Sequence, residues 1–92
     1  MVKVRFSSTI QSAVNNDVET QLEFSGTVLG LLEKLAGKYG ENFKKRIYGS
    51  DGKPRKFINI YLNGKDIRFK EGGATRVGGK DEVDLIPAVS GG

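Results

Sequence analysis

Apolar and polar residues alternate from the start: Val2, Val4 and Phe6 are separated by Lys3 and Arg5. A period of two predicts a strand with one buried face. Residues 7–17 are polar and close on Asn15-Asn16-Asp17, a turn signal. Val18, Thr20, Leu22 and Phe24 then alternate with Glu19, Gln21 and Glu23, which predicts a second strand and an opening hairpin with a long loop. The period changes after Ser25-Gly26-Thr27. Val28, Leu31, Leu32, Leu35 and Tyr39 share one face of a helix, with Thr27 placed to cap its first turn and Gly37 and Gly40 to weaken and end it. Phe43 and Ile47 suit a short second helical turn, and the run from Gly49 to Pro54 reads as a turn and loop. Ile58, Ile60 and Leu62 predict a third strand, Asn63-Gly64 a tight turn, and Ile67 and Phe69 a short fourth strand. Residues 70–82, with two Gly-Gly pairs, predict irregular chain, and Val83 and Leu85 mark the last strand. Pro87 has no N–H to give a ladder, so that strand is expected to fray there. The order β-β-α-β-β-β predicts an α+β layer pair, one main helix against one sheet.

Length and composition narrow the function classes. Ninety-two residues with 37% hydrophobic and 28% charged composition fit one small globular domain and leave no room for a second core. Residues 1–87 are expected to form that domain and residues 88–92 a flexible tail. The sequence has no cysteine and no histidine. Disulfides, thiolate catalysis, a conventional triad and a zinc site are thereby excluded, and no clustered acidic motif suggests a carboxylate metal site. No apolar run approaches the roughly 18–20 residues of a membrane span, and the charged N-terminus is unlike a signal peptide. A cytoplasmic location is the resulting expectation.

The net charge is +4, concentrated where Lys44, Lys45, Arg46, Lys53, Arg55 and Lys56 crowd one stretch with Asp51 as its one acid. Such a cluster suits an acidic partner or a solvated loop; no aromatic-interleaved RNA motif accompanies it, so nucleic acid is not expected as a partner. The glycine-rich segment is not a phosphate loop, because Ala74 stands where a Walker motif needs its first glycine and Asp81 follows Gly79-Lys80. Tyr61 and Ile86 are out of phase with the core positions of their strands and are expected on the open sheet face, as scattered exposed residues or as a partner patch.

The chain ends in Gly91-Gly92. Two residues without a Cβ can thread a narrow channel and leave the terminal carbonyl unhindered. A free carboxylate is a poor electrophile, so such a terminus would need prior activation, for example as an acyl-adenylate.

The element order together with the terminal Gly-Gly resembles the β-grasp, ubiquitin-like fold: a mixed sheet of four to five strands packed on one main helix. Within it, residues 84–92 (Asp-Leu-Ile-Pro-Ala-Val-Ser-Gly-Gly) are similar to the ending of sulfur carriers, the small subunit of molybdopterin synthase (MoaD-like) and the thiamine carrier (ThiS-like). Residues 57–64, 66–69 and 73–75 look especially like a carrier of cysteine biosynthesis. The resemblance implies no enzyme but a sulfur-donating co-substrate, with no bound cofactor. An E1-like enzyme would consume ATP to adenylate Gly92, with Gly91 beside it, before thiocarboxylation. Sulfur would then pass to an acceptor, such as a synthase subunit, in molybdopterin or tungsten cofactor or cysteine biosynthesis. It further implies that Tyr61 and Ile86 dock on the activating enzyme and that Pro87, Ala88, Val89 and Ser90 form the arm entering its active site. The alternative is a protein modifier joined through Gly92 to target lysines.

Overall fold

The first strand, β1 (Val2–Phe6), buries Val2, Val4 and Phe6. The polar run after it is more structured than its composition suggests. It forms a short helix, α1 (Ser8–Gln11), and a 3-10 turn over Ser12–Val14, which drive Ile10 and Val14 into the core. These two, with Ala13, have the three- and four-residue spacing of a helical face, hidden among polar neighbours. Asn15 and Asn16 then turn the chain with φ of 56° and 62°. The left-handed region is most open to asparagine among residues that carry a Cβ.

The second strand, β2 (Glu19–Leu22), is shorter than its alternation suggests, and Val18 is exposed. A two-residue strand, β3 (Gly26–Thr27), leads directly into the main helix, α2 (Val28–Tyr39). Thr27 caps α2: its Oγ1 accepts from the Gly30 N–H at 3.1 Å. The buried face of α2 is Val28, Leu31, Leu32, Leu35 and Ala36. Gly40, at φ 81°, ends it, and α3 (Glu41–Ile47) follows at once, burying Phe43 and Ile47.

The third predicted strand is β4 (Ile58–Leu62), which turns at Asn63 and Gly64 (φ 51° and 86°) into β5 (Lys65–Asp66). The expected strand through Ile67 and Phe69 is not formed. The Asp66 carboxylate accepts from the Arg68 N–H at 2.9 Å and bends the backbone into a 3-10 turn over Ile67–Phe69, which leaves Phe69 exposed. Residues 70–82 are also less irregular than expected. They include a 3-10 turn over Gly72–Ala74 and β6 (Arg76–Val77), which pairs antiparallel with β3. At Gly73 a Cβ would lie 2.6 Å from Leu29 Cγ, so a larger residue here would require the Leu29 side chain to move. The last strand is β7 (Glu82–Pro87).

The computed structural model describes residues 1–87. Their main sheet has the order β2-β1-β7-β4-β5, with β1 and β7 parallel and every other pair antiparallel. One face of this mixed sheet packs on α2; the other has no layer over it among the described residues. That is the α+β, β-grasp arrangement the sequence predicts. β7, the end of the described chain, lies between β1 and β4 in the middle of the sheet, so whatever follows Pro87 starts from a rigid centre.

Candidate functional site

The expected docking residues come together on the open face of the sheet. Register places Tyr61 opposite Asp84 and Asn59 opposite Ile86, so Tyr61 and Ile86 are diagonal neighbours on adjacent strands. Diagonal pairs are within reach of an aromatic and a branched side chain. Ile86 is 41% exposed in the middle of a sheet, while Val83 and Leu85 on the same strand are fully buried. Tyr61 is half-buried.

Pro87 is placed differently from the expectation. It is the last paired residue of β7, opposite Ile58, and its side chain is buried. The fraying expected after Pro87 falls outside the described residues. A proline at a strand end loses little, because the missing N–H is not called on by a further ladder step. Ala88, Val89, Ser90, Gly91 and Gly92 lie outside the described residues.

A row of charged residues crosses the same face. Successive pairings run Glu19, Arg5, Asp84, Tyr61, Asp66 across all five strands. These charges are matched internally. Arg5 donates to Asp84 from Nε at 2.7 Å and also reaches Glu82 at 3.0 Å; the hydrogen bond to Asp84, and then its charge, push the Arg5 guanidinium up. Arg68 Nη2 donates to Asp66 at 2.6 Å and to Asn59 Oδ1 at 2.9 Å. The Arg68 side-chain and backbone hydrogen bonds hold the Asp66 carboxyl below the usual carboxylate range. Below this row, toward the end of β7, come Ile86 and Asn59.

One aromatic was missed in the sequence. Phe57 immediately precedes β4, in a turn, and is 46% exposed. The neighbouring basic stretch divides into two sets. Arg46 donates to the Thr9 carbonyl at 2.9 Å and Arg55 to the Lys45 carbonyl at 3.1 Å. The Arg55 bond satisfies a carbonyl of the last turn of α3, where cations also complement the helix dipole. These two arginines therefore have structural work, while Lys45, Lys53 and Lys56 are exposed.

A cleft of about 510 Å³ lies on the other side of β4, between it and α2. It is lined mainly by apolar groups such as Leu29, Leu32 and Ile60. Tyr48 borders it with a buried hydroxyl that has no hydrogen-bond partner among the described residues, and burial pushes that phenol up. Neither there nor on the open face does a nucleophile sit beside a base. Among the described residues no group of three His, Cys, Asp or Glu could hold a metal ion, and no helix is long and apolar enough to cross a membrane.

Comparison with known proteins agrees with this arrangement. The model of the ThiS family matches residues 4–92. The sulfur carrier protein CysO of Mycobacterium tuberculosis is 39% identical over 71 residues, 74% of this chain and 75% of that one. The crystal structure of the BexX/CysO complex of Amycolatopsis orientalis contains a chain that superposes with a TM-score of 0.85 at 26% identity, covering both chains completely. The solution structure of small archaeal modifier protein 1 of Methanosarcina acetivorans gives 0.84 at 32% identity, over 99% of this chain and 95% of that one.

Proposed function

The chain belongs to the ThiS family, and from that premise we propose that it is a sulfur carrier whose working atom is the carboxyl carbon of Gly92. The observation that carries the reading is the open face beside the end of β7: an exposed Ile86 on the strand that leads to Gly91-Gly92 and a half-buried Tyr61 on the neighbouring β4, where the core pattern demands neither. A partner that holds this face would receive residues 88–92 in a fixed direction.

The chemistry follows from the terminus. An E1-like enzyme joins the Gly92 carboxylate to the α-phosphorus of ATP, releasing pyrophosphate and leaving an acyl-adenylate. Hydrosulfide attacks the carbonyl carbon, AMP leaves with the bonding electrons, and a thiocarboxylate remains on Gly92 after the sulfur loses its proton. The carrier supplies no catalytic side chain, so it acts as a co-substrate, and ATP is consumed by the activating enzyme. This reading places the protein in the cytoplasm. Between cofactor and cysteine biosynthesis, the likeness to the sulfur carrier protein CysO favours delivery of sulfur toward cysteine. The test is a reconstituted transfer reaction with the full chain and with Gly92 deleted. The deletion is expected to abolish transfer; transfer that survives it would overturn the reading.

A second reading rests on the likeness to the archaeal modifier protein. The same activated carboxyl can be attacked by a lysine amine, giving an isopeptide. Conjugates of higher mass joined through Gly92 would support it, and the two roles are compatible.

A further inference from the structure

The side of β4 that faces α2 is incompletely covered. On the neighbouring β7, Val83 and Leu85 have no exposed surface, whereas Ile58, Ile60 and Ile67 keep 7%, 6% and 7% of theirs. These three line the cleft of about 510 Å³, with Leu29 and Leu32 of α2 across from them. Apolar clefts of about 300–1,000 Å³ with a few polar groups are the usual form of small-molecule sites. The loop pinned by the Tyr48–Pro54 bridge and the turn at Gly72 and Gly73 supply further walls, so the space is a pocket of limited length and not a through-groove for a peptide. Its polar groups are unequally engaged. Asp66 is bound to Arg68, and Arg55 holds the Lys45 carbonyl. Lys53 and Lys56 line the same cleft, are exposed, and have no ion-pair partner among the described residues. Against these two cations stands one lining carboxylate without an ion pair, Glu33. Tyr48 adds a buried hydroxyl with no hydrogen-bond partner among the described residues; burial, and then the Glu33 charge, push that phenol up, so it remains a donor at neutral pH.

We infer that this cleft binds a small amphipathic carboxylate, with its hydrocarbon body between α2 and β4 and its charged end at Lys53 and Lys56. The apolar walls define the body, because removing hydrocarbon from water drives its entry. The free lysines define the head. With Glu33 opposing them, two cations match a single negative charge better than a multiply charged phosphate. An anion held at exposed lysines keeps part of its hydration, which avoids the cost of burying a charge. The Tyr48 hydroxyl, unpartnered in the free protein, gains a ligand oxygen as its acceptor. Ile58 and Ile60 point into the cleft while Tyr61 lies on the opposite face of β4, so an occupant leaves the open face clear. The site goes beyond the carrier reading and does not depend on it, and it gives the lysines of the basic stretch a purpose.

The experiment uses the full chain labelled with nitrogen-15, titrated with octanoate below its micelle threshold and followed by amide chemical shifts. Shifts that saturate, largest at Leu29, Leu32, Ile58 and Ile60 and small at Ile86, are the expected result. The double variant Lys53→Glu, Lys56→Glu is expected to weaken octanoate about 10-fold at low salt and to change the affinity for octanol, its uncharged analogue, by no more than about 2-fold. Leu29→Glu places a carboxylate on an apolar wall and is expected to weaken octanoate about 10-fold or more. Tyr48→Phe is expected to weaken it about 3-fold while the free protein melts no earlier, since the lost hydroxyl had no partner. Thermal melts check that each variant folds; should Leu29→Glu unfold, the exposed lysine pair still decides. Octanoate that binds no tighter than octanol or octylammonium, shifts that rise linearly without saturation, or shifts centred on Ile86 would overturn the inference. A leucine- and glutamate-rich peptide that saturates the same amides about 10-fold more tightly than octanoate would also overturn it, by giving the cleft to a protein partner.

Discussion

Ile86 and Leu85 show how much one residue of strand phase decides. Leu85 is fully buried under α2 and Ile86 faces out at 41% exposure. A charge at position 86 therefore meets solvent in the free protein and an apolar surface in a complex. Ile86→Asp is expected to leave the thermal midpoint within a few degrees of the wild type and to weaken docking on the activating enzyme at least 10-fold; a variant that melts early would place Ile86 in the core. Asp66 gives a pH prediction. Its folded-state carboxyl is held below the usual value by the Arg68 hydrogen bonds, so the stability it adds is fully present above about pH 4 and is lost as pH falls through the lower folded value. Urea midpoints of the wild type and Asp66→Asn should be separated at pH 7 and draw together below about pH 4. A constant gap would show that the Asp66 contribution is independent of its charge. The phase of Tyr61 and Ile86 was legible in the sequence because flanking core residues set it. Phe57 was not, since it precedes the strand that defines its phase.

At the scale of elements, legibility followed the length of the periodic signal. α2 carries three turns of apolar residues after a threonine cap and before Gly40, and both ends stand where those residues put them. Thr27→Ala removes the acceptor for the Gly30 N–H and is expected to cost about 1 kcal/mol by chemical denaturation. No loss would mean that another acceptor replaces the hydroxyl. Short elements were not legible. β3 and β6 have two residues each, too few for any period, and they exist because Gly26 and Thr27 meet Arg76 and Val77 across the fold. α1 is one turn in a polar run, held by burial of Ile10. β5 ends early because a side chain, Asp66, outcompetes the ladder for the backbone of Arg68. In each case a tertiary contact or a local side-chain bond decided what alternation could not.

The whole molecule separates support from chemistry. One sheet and α2 form the core, and the middle position of β7 brings its end out beside an open face that carries Ile86 and Tyr61. Fold and family were legible because the last third of the chain carries both the strand pattern and the glycine pair. The division of the basic stretch into capping arginines and outward lysines was not, because it depends on carbonyls of Thr9 and Lys45, which only folding brings near. The central claim is that Gly92 carries sulfur. Its most direct test is the intact mass of the full chain after incubation with ATP, a sulfide source and the E1-like enzyme, followed by fragmentation of the C-terminal peptide. The account predicts the replacement of one oxygen by one sulfur, located on Gly92 and dependent on ATP. An unchanged mass when that enzyme is shown to be active, or a sulfur located elsewhere in the chain, would contradict it.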